Sequence, residues 1–251
     1  MTELVQFERS GHLAVVTLNR PEKHNALNNE MTLALYEHFA TVASDAEIWA
    51  CLLKANGRSF CSGHDLVKEY TSQFVPPTAG LYQVIQELSK PVICAINGVC
   101  LGGGAGIALS CDIRVMGESA RFGWPQARSG FSSTSGPLLL SKLIPFNIAF
   151  EYLYLGTPIL ADRALQLGLV NRVVGDAELD EAVNTLARDV LQSAPLAVQA
   201  IKRMAVEARS LGFAEALSRS GEIFKQIETT EDVGEARRAR AEKRQPKWIG
   251  R

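Results

Sequence analysis

The spacing of hydrophobic residues changes repeatedly along the first two thirds of the chain, and the changes predict alternating strands and helices. Alternating or continuous apolar runs predict strands over Val5 to Arg9, Leu13 to Leu18, Ile48 to Lys54, Val92 to Ile96 and Ile113 to Met116. The first two, on either side of Ser10-Gly11, are predicted to form a hairpin. The Asn28 cap and helical spacing predict a helix to about Ser44, and boundary signals predict another after Pro77 that ends near Lys90-Pro91. The small apolar residues of Gly104 to Ser110 predict a packed helix. Such alternation indicates an α/β fold.

The pattern changes after about Asp176, where only helical spacing remains. Helices are predicted over Leu179 to Leu191, Pro195 to Arg209, Phe213 to Ile227 and Glu231 to Arg240. We therefore expect an α/β core over residues 1–176 and a helical C-terminal region over residues 177–251. Between the strands, the stretch from Lys68 to Pro77 is less regular and is predicted to be mobile.

Composition and charge narrow the possible partners. The chain has 251 residues, of which 47% are hydrophobic and 21% charged, and a formal net charge of -1. These values are typical of a globular protein and do not indicate nucleic-acid or anionic-membrane binding. The sequence contains neither a membrane-length apolar run nor a signal pattern at Met1 to Val5, so we expect a cytoplasmic protein.

The cysteines do not indicate a metal or disulfide framework. Their number is five, and no pair has the C-x-x-C spacing. We interpret them as small buried apolar side chains in a reducing compartment, and we expect no metal site.

Two glycine-containing segments carry the strongest chemical signal. They are Phe60 to Leu66 and Asn97 to Gly106, and each lies where a strand-like run changes to a helix-like one. Glycine lets the backbone approach a ligand closely, and a helix start presents N–H groups and partial positive charge. Two such turns could direct two N–H groups at one oxygen, which is the arrangement of an oxyanion hole.

Several motifs, in order over nearly the whole chain, resemble the crotonase (enoyl-CoA hydratase/isomerase) superfamily. The matching segments are Leu18 to Pro21 with Asn25 to Leu27, Phe60 to Leu66, Lys90 to Gly104, Ser110 to Arg114, Arg121 to Gly123, Ala161 to Val170 and Glu242 to Arg244. The resemblance implies a spiral of ββα repeats, followed by a helical region that builds trimers, often paired into hexamers. It also implies a substrate that is an acyl thioester of coenzyme A, with coenzyme A bound only as part of that substrate.

Site residues follow from the resemblance position by position. The N–H groups of His64 and Gly103 are expected to form the oxyanion hole. The residues expected to line the pantetheine and adenine are Lys23, His24, Ala26, Ser62, His64, Asp65 and Leu66.

The sequence departs from the family pattern where relatives keep acidic residues. The two glutamates of a hydratase correspond to Gly106 and Gln126, and an aspartate found in some isomerases corresponds to the region of Thr134. Glycine has no titratable group, and the Gln126 amide can hold a water molecule but cannot accept its proton. We therefore expect thioester binding and carbonyl polarisation, with Gln126 as a catalytic candidate, but not ordinary two-glutamate hydration.

Some side chains allow two interpretations. The His64 imidazole either reaches the thioester or is irrelevant beside its own N–H group. Tyr70 and Tyr82 line the acyl pocket or donate a proton, and Glu69 is a solvated side chain or a substitute acid. Asp65 is interpreted as a helix N-terminal acid rather than a base.

Further polar residues are ambiguous in the same way. The hydroxyl cluster Ser132 to Ser135 is interpreted as a helix cap, with a polar acyl pocket as the alternative. Arg128 either binds a substrate carboxylate or is simply exposed, and Lys243 or Arg244 either contacts a coenzyme A phosphate or is solvated.

Two classes of function remain open. The first is an enzyme that stabilises a thioester enolate for isomerisation, hydration of an unusual substrate, decarboxylation or thioester hydrolysis. The second is a non-catalytic acyl-CoA-binding or assembly subunit of the same fold, because the usual acids are missing.

Overall fold

The computed structural model describes residues 3–65 and 77–251. In these segments a six-stranded sheet has the order β1-β2-β3-β5-β7-β10. Its strands are β1 Val5–Ser10, β2 Leu13–Leu18, β3 Ala50–Ala55, β5 Val92–Ile96, β7 Ile113–Gly117 and β10 Arg172–Val174. The predicted β1–β2 hairpin is antiparallel, and every other neighbouring pair of this sheet is parallel.

A second sheet in the described residues has four short strands in the order β4-β6-β8-β9. They are β4 Ser59–Cys61, β6 Val99–Leu101, β8 Arg121–Gly123 and β9 Ile159–Leu160. Strands β4 and β6 run parallel, with Ser59 opposite Val99 and Cys61 opposite Cys100. Their carboxyl ends therefore lie at one edge, and both predicted glycine turns begin there.

The helices of the described segments include the seven predicted above and three more between β8 and β10. They are α1 Asn29–Ser44, α2 Thr78–Glu87, α3 Gly103–Ser110, α4 Ser141–Leu143, α5 Phe146–Leu155, α6 Ala161–Gln166, α7 Leu179–Leu191, α8 Pro195–Glu207, α9 Phe213–Glu228 and α10 Glu231–Glu242. Asn28 caps α1 as expected, because its side chain accepts a hydrogen bond from the Met31 N–H at 2.8 Å.

Several predicted boundaries were displaced by local contacts. Helix α2 ends at Glu87 rather than near Lys90, and Leu88 is already extended. The Lys90 ammonium instead donates to the carbonyls of Val42 and Asp45, at 2.6 and 2.5 Å, at the C-terminal end of α1. Strand β3 begins at Ala50 rather than Ile48, because Ile48 N–H donates to Asp45 O in a turn after α1.

The main core lies between the two sheets and helices α1 to α3, and a smaller cluster lies on the other face of the large sheet. In that cluster Leu52, Ile93 and Val115 pack against Val183 and Ala187 of α7. The division at residue 176 remains a prediction, since the first helix after it lies directly on the sheet.

All five cysteines are buried, as the interpretation required, and none forms a disulfide. Burial raises the pKa of the Cys61 thiol to about 12. No helix in the described residues is long and apolar enough to cross a membrane. The predictions for Lys68 to Pro77 fall largely on residues 66–76, which lie outside the described part of the chain.

Candidate active site

The two glycine turns meet in space. Gly63 follows β4 and has φ +100°, a conformation that side chains with a Cβ rarely adopt. A Cβ atom at Gly63 would lie 3.3 Å from the Leu101 carbonyl oxygen and 3.8 Å from the Gly103 nitrogen. The main chain after β4 is therefore in contact with the main chain that joins β6 to α3.

Gly103 is the first residue of α3, so helix geometry leaves its N–H without an intrahelical acceptor. The preceding Gly102 has φ 50° and ψ -111°, a conformation available to glycine. Helix α3 is buried throughout its length. Its N-terminal N–H groups and partial positive charge thus act in a surrounding of low dielectric constant.

The main chain of Leu27 fixes the orientation of the His64 peptide. Leu27 N–H donates to Gly63 O at 2.7 Å, and Asp65 N–H donates to Leu27 O at 2.8 Å. In a trans peptide the carbonyl and N–H groups point in opposite directions. The His64 N–H therefore points away from Leu27.

The His64 ring lies against Gly103. A Cβ atom at Gly103 would lie 3.1 Å from His64 Cε1 and 3.5 Å from Nδ1. Burial lowers the pKa of His64 below its usual value of 6.5, so the imidazole is neutral at neutral pH. A neutral ring beside the two N–H groups adds no charge to the site.

The loop expected to bind coenzyme A is joined to the first glycine turn. His24 and Asn25 both have left-handed backbone conformations, with φ 51° and 53°. The buried Asn25 amide donates to the carbonyls of Asn56 and Ser59, and Ser62 N–H donates to His24 O at 3.0 Å. The structure thus brings His24, Ala26, Ser62 and His64 into one region; Lys23 is exposed on the same loop.

Asp65 serves this region through an ion pair. Its carboxylate lies 2.8 Å from the Arg20 guanidinium, and the two side chains are only 11% and 9% exposed. Arg20 also donates to the Ala26 carbonyl at 3.0 Å. Asp65 therefore holds the turn that carries His64 against the Arg20–Ala26 loop. Leu66, the last predicted contact, lies outside the described residues.

The space beside Gly106, where the family resemblance leads us to expect the first glutamate, is occupied by two other side chains. A Cβ atom at Gly106 would lie 2.5 Å from Tyr82 Cζ and 2.6 Å from Ser135 Cβ. Burial raises the pKa of the Tyr82 hydroxyl to about 12. Neutral hydroxyl groups thus lie where a carboxylate is expected.

Gln126 reaches the second glycine turn from a 3-10 turn over Pro125–Ser129. A Cβ atom at Gly102 would clash with its amide nitrogen. Its amide oxygen is buried and accepts no hydrogen bond from the described residues. Gln126 therefore offers an unused acceptor beside the predicted oxyanion hole, whereas Thr134 is exposed.

The structure gives contacts for three of the ambiguous polar groups. In the hydroxyl cluster, Ser133 Oγ accepts a hydrogen bond from the Gly136 N–H at the start of the helical segment Gly136–Leu140. The Ser135 hydroxyl instead donates to the Gly102 carbonyl at 2.8 Å. Arg128 donates to the Leu155 carbonyl. Arg244 pairs with Glu235 and Glu242, which leaves less of its charge for a phosphate.

The role of Ser135 is the main feature that sequence reasoning missed. Its partners Gly102 and Trp124 are distant in sequence, and its place in a run of hydroxyl residues was the only signal. Glu69 and Tyr70 lie outside the described residues. Within the described segments no group of three His, Cys, Asp or Glu side chains could hold a metal ion.

Known proteins resemble this chain over nearly its whole length. The family model described as enoyl-CoA hydratase/isomerase matches residues 8–251. The short-chain-enoyl-CoA hydratase of Clostridium acetobutylicum is 35% identical over 248 residues, covering 96% of this chain and 95% of that protein. The (E)-benzylidenesuccinyl-CoA hydratase of Thauera aromatica is 36% identical over 258 residues, covering 98% and 99%.

A solved structure shows the same fold over the full length. The crystal structure of a probable enoyl-CoA hydratase/isomerase from Mycobacterium abscessus superposes with a TM-score of 0.92 at 34% identity, covering 100% of both chains. This likeness confirms the crotonase-like α/β fold that the motifs implied. The chain belongs to the enoyl-CoA hydratase/isomerase family of enzymes, in the crotonase superfamily.

Proposed function

We propose that this protein processes an acyl-CoA thioester by stabilising an enolate, or a related oxyanion, between the N–H groups of His64 and Gly103. The observation that carries the proposal is the contact between the two glycine turns, with a Cβ position at Gly63 only 3.8 Å from the Gly103 nitrogen. N–H groups arranged in advance around a developing negative charge stabilise it without reorganisation. The similarity to named CoA-thioester hydratases supports the same substrate class.

The coenzyme A part of the substrate is assigned to the linked loops at residues 20–26 and 62–65. Lys23, His24 and Ala26 lie on the first loop, and Ser62 and Asp65 on the second. The hydrogen bond from Ser62 N–H to His24 O and the Arg20–Asp65 ion pair hold the loops together. A thioester bound along them has its carbonyl close to the His64 turn.

The proton chemistry of this site differs from two-carboxylate hydration. Gly106 has no side chain, and the space beside it is filled by Tyr82 and Ser135. Gln126 can accept a hydrogen bond from a water molecule or a substrate hydroxyl through its free amide oxygen, but it cannot take the proton. Among the open reactions, decarboxylation needs the least acid–base help, because loss of carbon dioxide itself generates the carbanion.

We expect Gln126→Glu to raise hydration of crotonyl-CoA by about 10-fold or more, since a placed general acid or base contributes about 10²- to 10⁴-fold when all its partners are present. The gain in rate should be smaller than this full contribution, because Gly106 supplies no second carboxylate. Steady-state absorbance of the enoyl thioester measures the rate. An unchanged rate in the folded variant would show that Gln126 does not reach the reacting atoms.

The matched substitution Gly106→Glu should not add a working acid. Its Cβ would lie 2.5 Å from Tyr82 Cζ, so the side chain can enter only by displacing that buried ring. Overpacking of this kind costs about 1–3 kcal/mol. Thermal unfolding should therefore show a lower Tm, while hydration stays at the level of the unmodified protein.

We also propose that the protein assembles into a homotrimer or hexamer. Helix α9 supports this because its apolar residues Phe213, Leu217 and Phe224 are exposed in the single chain, Phe213 by 86%. Apolar patches of this kind on a globular surface are typical of protein interfaces.

The reaction class is tested by incubating the protein with a panel of acyl-CoA thioesters in heavy water, followed by mass spectrometry. Water addition, loss of carbon dioxide, release of free coenzyme A and deuterium uptake each change the mass differently. The proposal predicts at least one of these changes. If the thioesters bind tightly and none is changed, the non-catalytic acyl-CoA-binding alternative replaces it.

A further inference from the structure

The Gly102–Gly103 peptide has partners on its carbonyl side as well as its N–H side. The Gly102 carbonyl accepts the Gly106 N–H at 3.0 Å, as the first turn of α3 requires. It also accepts a second hydrogen bond, from the Ser135 hydroxyl at 2.8 Å. Ser135 is 2% exposed, so water does not compete for this contact.

Ser135 is in turn held by Trp124. The Trp124 indole Nε1–H donates to Ser135 Oγ at 3.0 Å, and the ring is buried. A hydroxyl has one proton, and that of Ser135 is used on Gly102, so the indole must donate to an oxygen lone pair. The hydrogen bonds therefore run in one direction, from the Trp124 N–H through the Ser135 O–H to the Gly102 carbonyl.

The next group in this direction is the Gly103 N–H, which belongs to the same peptide as the Gly102 carbonyl. A hydrogen bond to an amide oxygen draws electron density from the nitrogen and makes its N–H a stronger donor. Such cooperative polarisation acts most strongly in a buried surrounding. The hydrogen bond from Ser135 also fixes the plane of the Gly102–Gly103 peptide. This plane needs fixing because Gly102 has an uncommon conformation, with φ 50° and ψ -111°.

We propose that Ser135, held by Trp124, is a positioning residue that aligns and strengthens the Gly103 N–H as an oxyanion donor. The inference rests on the proposed oxyanion hole and adds to it a hydrogen-bond relay of three groups. The relay stabilises an enolate oxygen more than a neutral thioester carbonyl, because polarisation of the donor matters more as negative charge develops. It therefore acts on kcat rather than on coenzyme A affinity.

Ser135→Ala tests the relay, because it removes the hydroxyl and retains the Cβ. The probe is butyryl-CoA with ¹³C at the thioester carbonyl, and isotope-edited infrared spectroscopy measures its carbonyl stretch when bound. We expect the unmodified protein to lower the stretching frequency and the variant to lose part of that shift. For any CoA thioester that the protein converts, we expect the variant to have a kcat about 10-fold lower, from the loss of one hydrogen bond. The Kd for butyryl-CoA should be unchanged.

Ser132→Ala is the matched control. The Ser132 side chain is exposed, three residues before Ser135, and the relay does not pass through it. Ser132→Ala should leave the carbonyl frequency unchanged. Trp124→Phe provides a second variant in case Ser135→Ala fails to fold. It keeps an aromatic ring and removes only the indole N–H, the first donor of the relay. We expect it to lose a smaller part of the carbonyl frequency shift than Ser135→Ala does.

The outcomes separate the relay from the oxyanion hole itself. A lowered frequency in the unmodified protein that persists fully in Ser135→Ala and Trp124→Phe overturns the relay alone. An unshifted carbonyl in the unmodified protein overturns the proposed function, and the relay with it. An equal loss in Ser132→Ala shows a general disturbance of the segment and also overturns the relay.

Discussion

Gly103→Pro is expected to lower kcat/KM by at least about 10²- to 10³-fold for any CoA thioester that the protein converts, the usual effect of losing one oxyanion donor. Proline has no N–H, and its ring occupies the direction in which the Gly103 N–H points. The variant should still fold, because proline is favoured at the first position of a helix, where Gly103 lies. Steady-state kinetics and a thermal melt measure both properties.

Gly103→Ala is the control for the added bulk. It places a Cβ at the same position, 3.1 Å from His64 Cε1 and 3.2 Å from Leu27 Cδ1, but retains the N–H. We expect it to keep far more activity than Gly103→Pro. Equal losses in the two variants would mean that crowding of His64, and not the missing donor, explains the effect.

Asp65→Ala is expected to lower the free energy of unfolding by about 3–5 kcal/mol, as is typical when one partner of a buried ion pair is removed. The variant leaves the Arg20 guanidinium, 9% exposed, without its carboxylate at 2.8 Å. The same contact holds the turn that carries His64, so kcat/KM should fall as well. Urea unfolding measures the stability change.

The control for Asp65→Ala is an exposed ion pair in the same chain. Glu181 lies 2.9 Å from Arg188 on α7, and both side chains are largely exposed. Solvent screening makes such a pair weak, so Glu181→Ala should leave the unfolding midpoint nearly unchanged. If Asp65→Ala and Glu181→Ala had similar free energies of unfolding, the Arg20–Asp65 pair would not anchor the site.

Local sequence signals were sufficient for the elements that carry the site. The Asn28 cap, the β1–β2 hairpin and the start of α3 beside the triple glycine depend on contacts within a few residues, and each was predicted closely. The parallel pairing of β4 with β6, which makes the turns meet, joins segments about 40 residues apart. Only the family resemblance, and not periodicity, could indicate that pairing.

What replaces the absent carboxylates could not be predicted from the sequence. Gly106 and Gln126 show that acids are missing, but not that Tyr82 of α2 and Ser135 fill the space beside Gly106. Packing against a helix face depends on the tertiary arrangement, and a hydroxyl residue is equally suited to capping or to a buried bond. The interpretation of the hydroxyl cluster as a helix cap is confirmed for Ser133, which accepts a hydrogen bond from the Gly136 N–H, but not for Ser135.

A crystal structure of the protein with bound butyryl-CoA tests the central claim most directly. The account predicts a thioester oxygen about 2.7–3.1 Å from the main-chain nitrogens of both His64 and Gly103. It also predicts the coenzyme A moiety along the linked loops at residues 20–26 and 62–65. A thioester oxygen bound away from both nitrogens, with the loops occupied, would contradict the oxyanion hole on which the proposed chemistry depends.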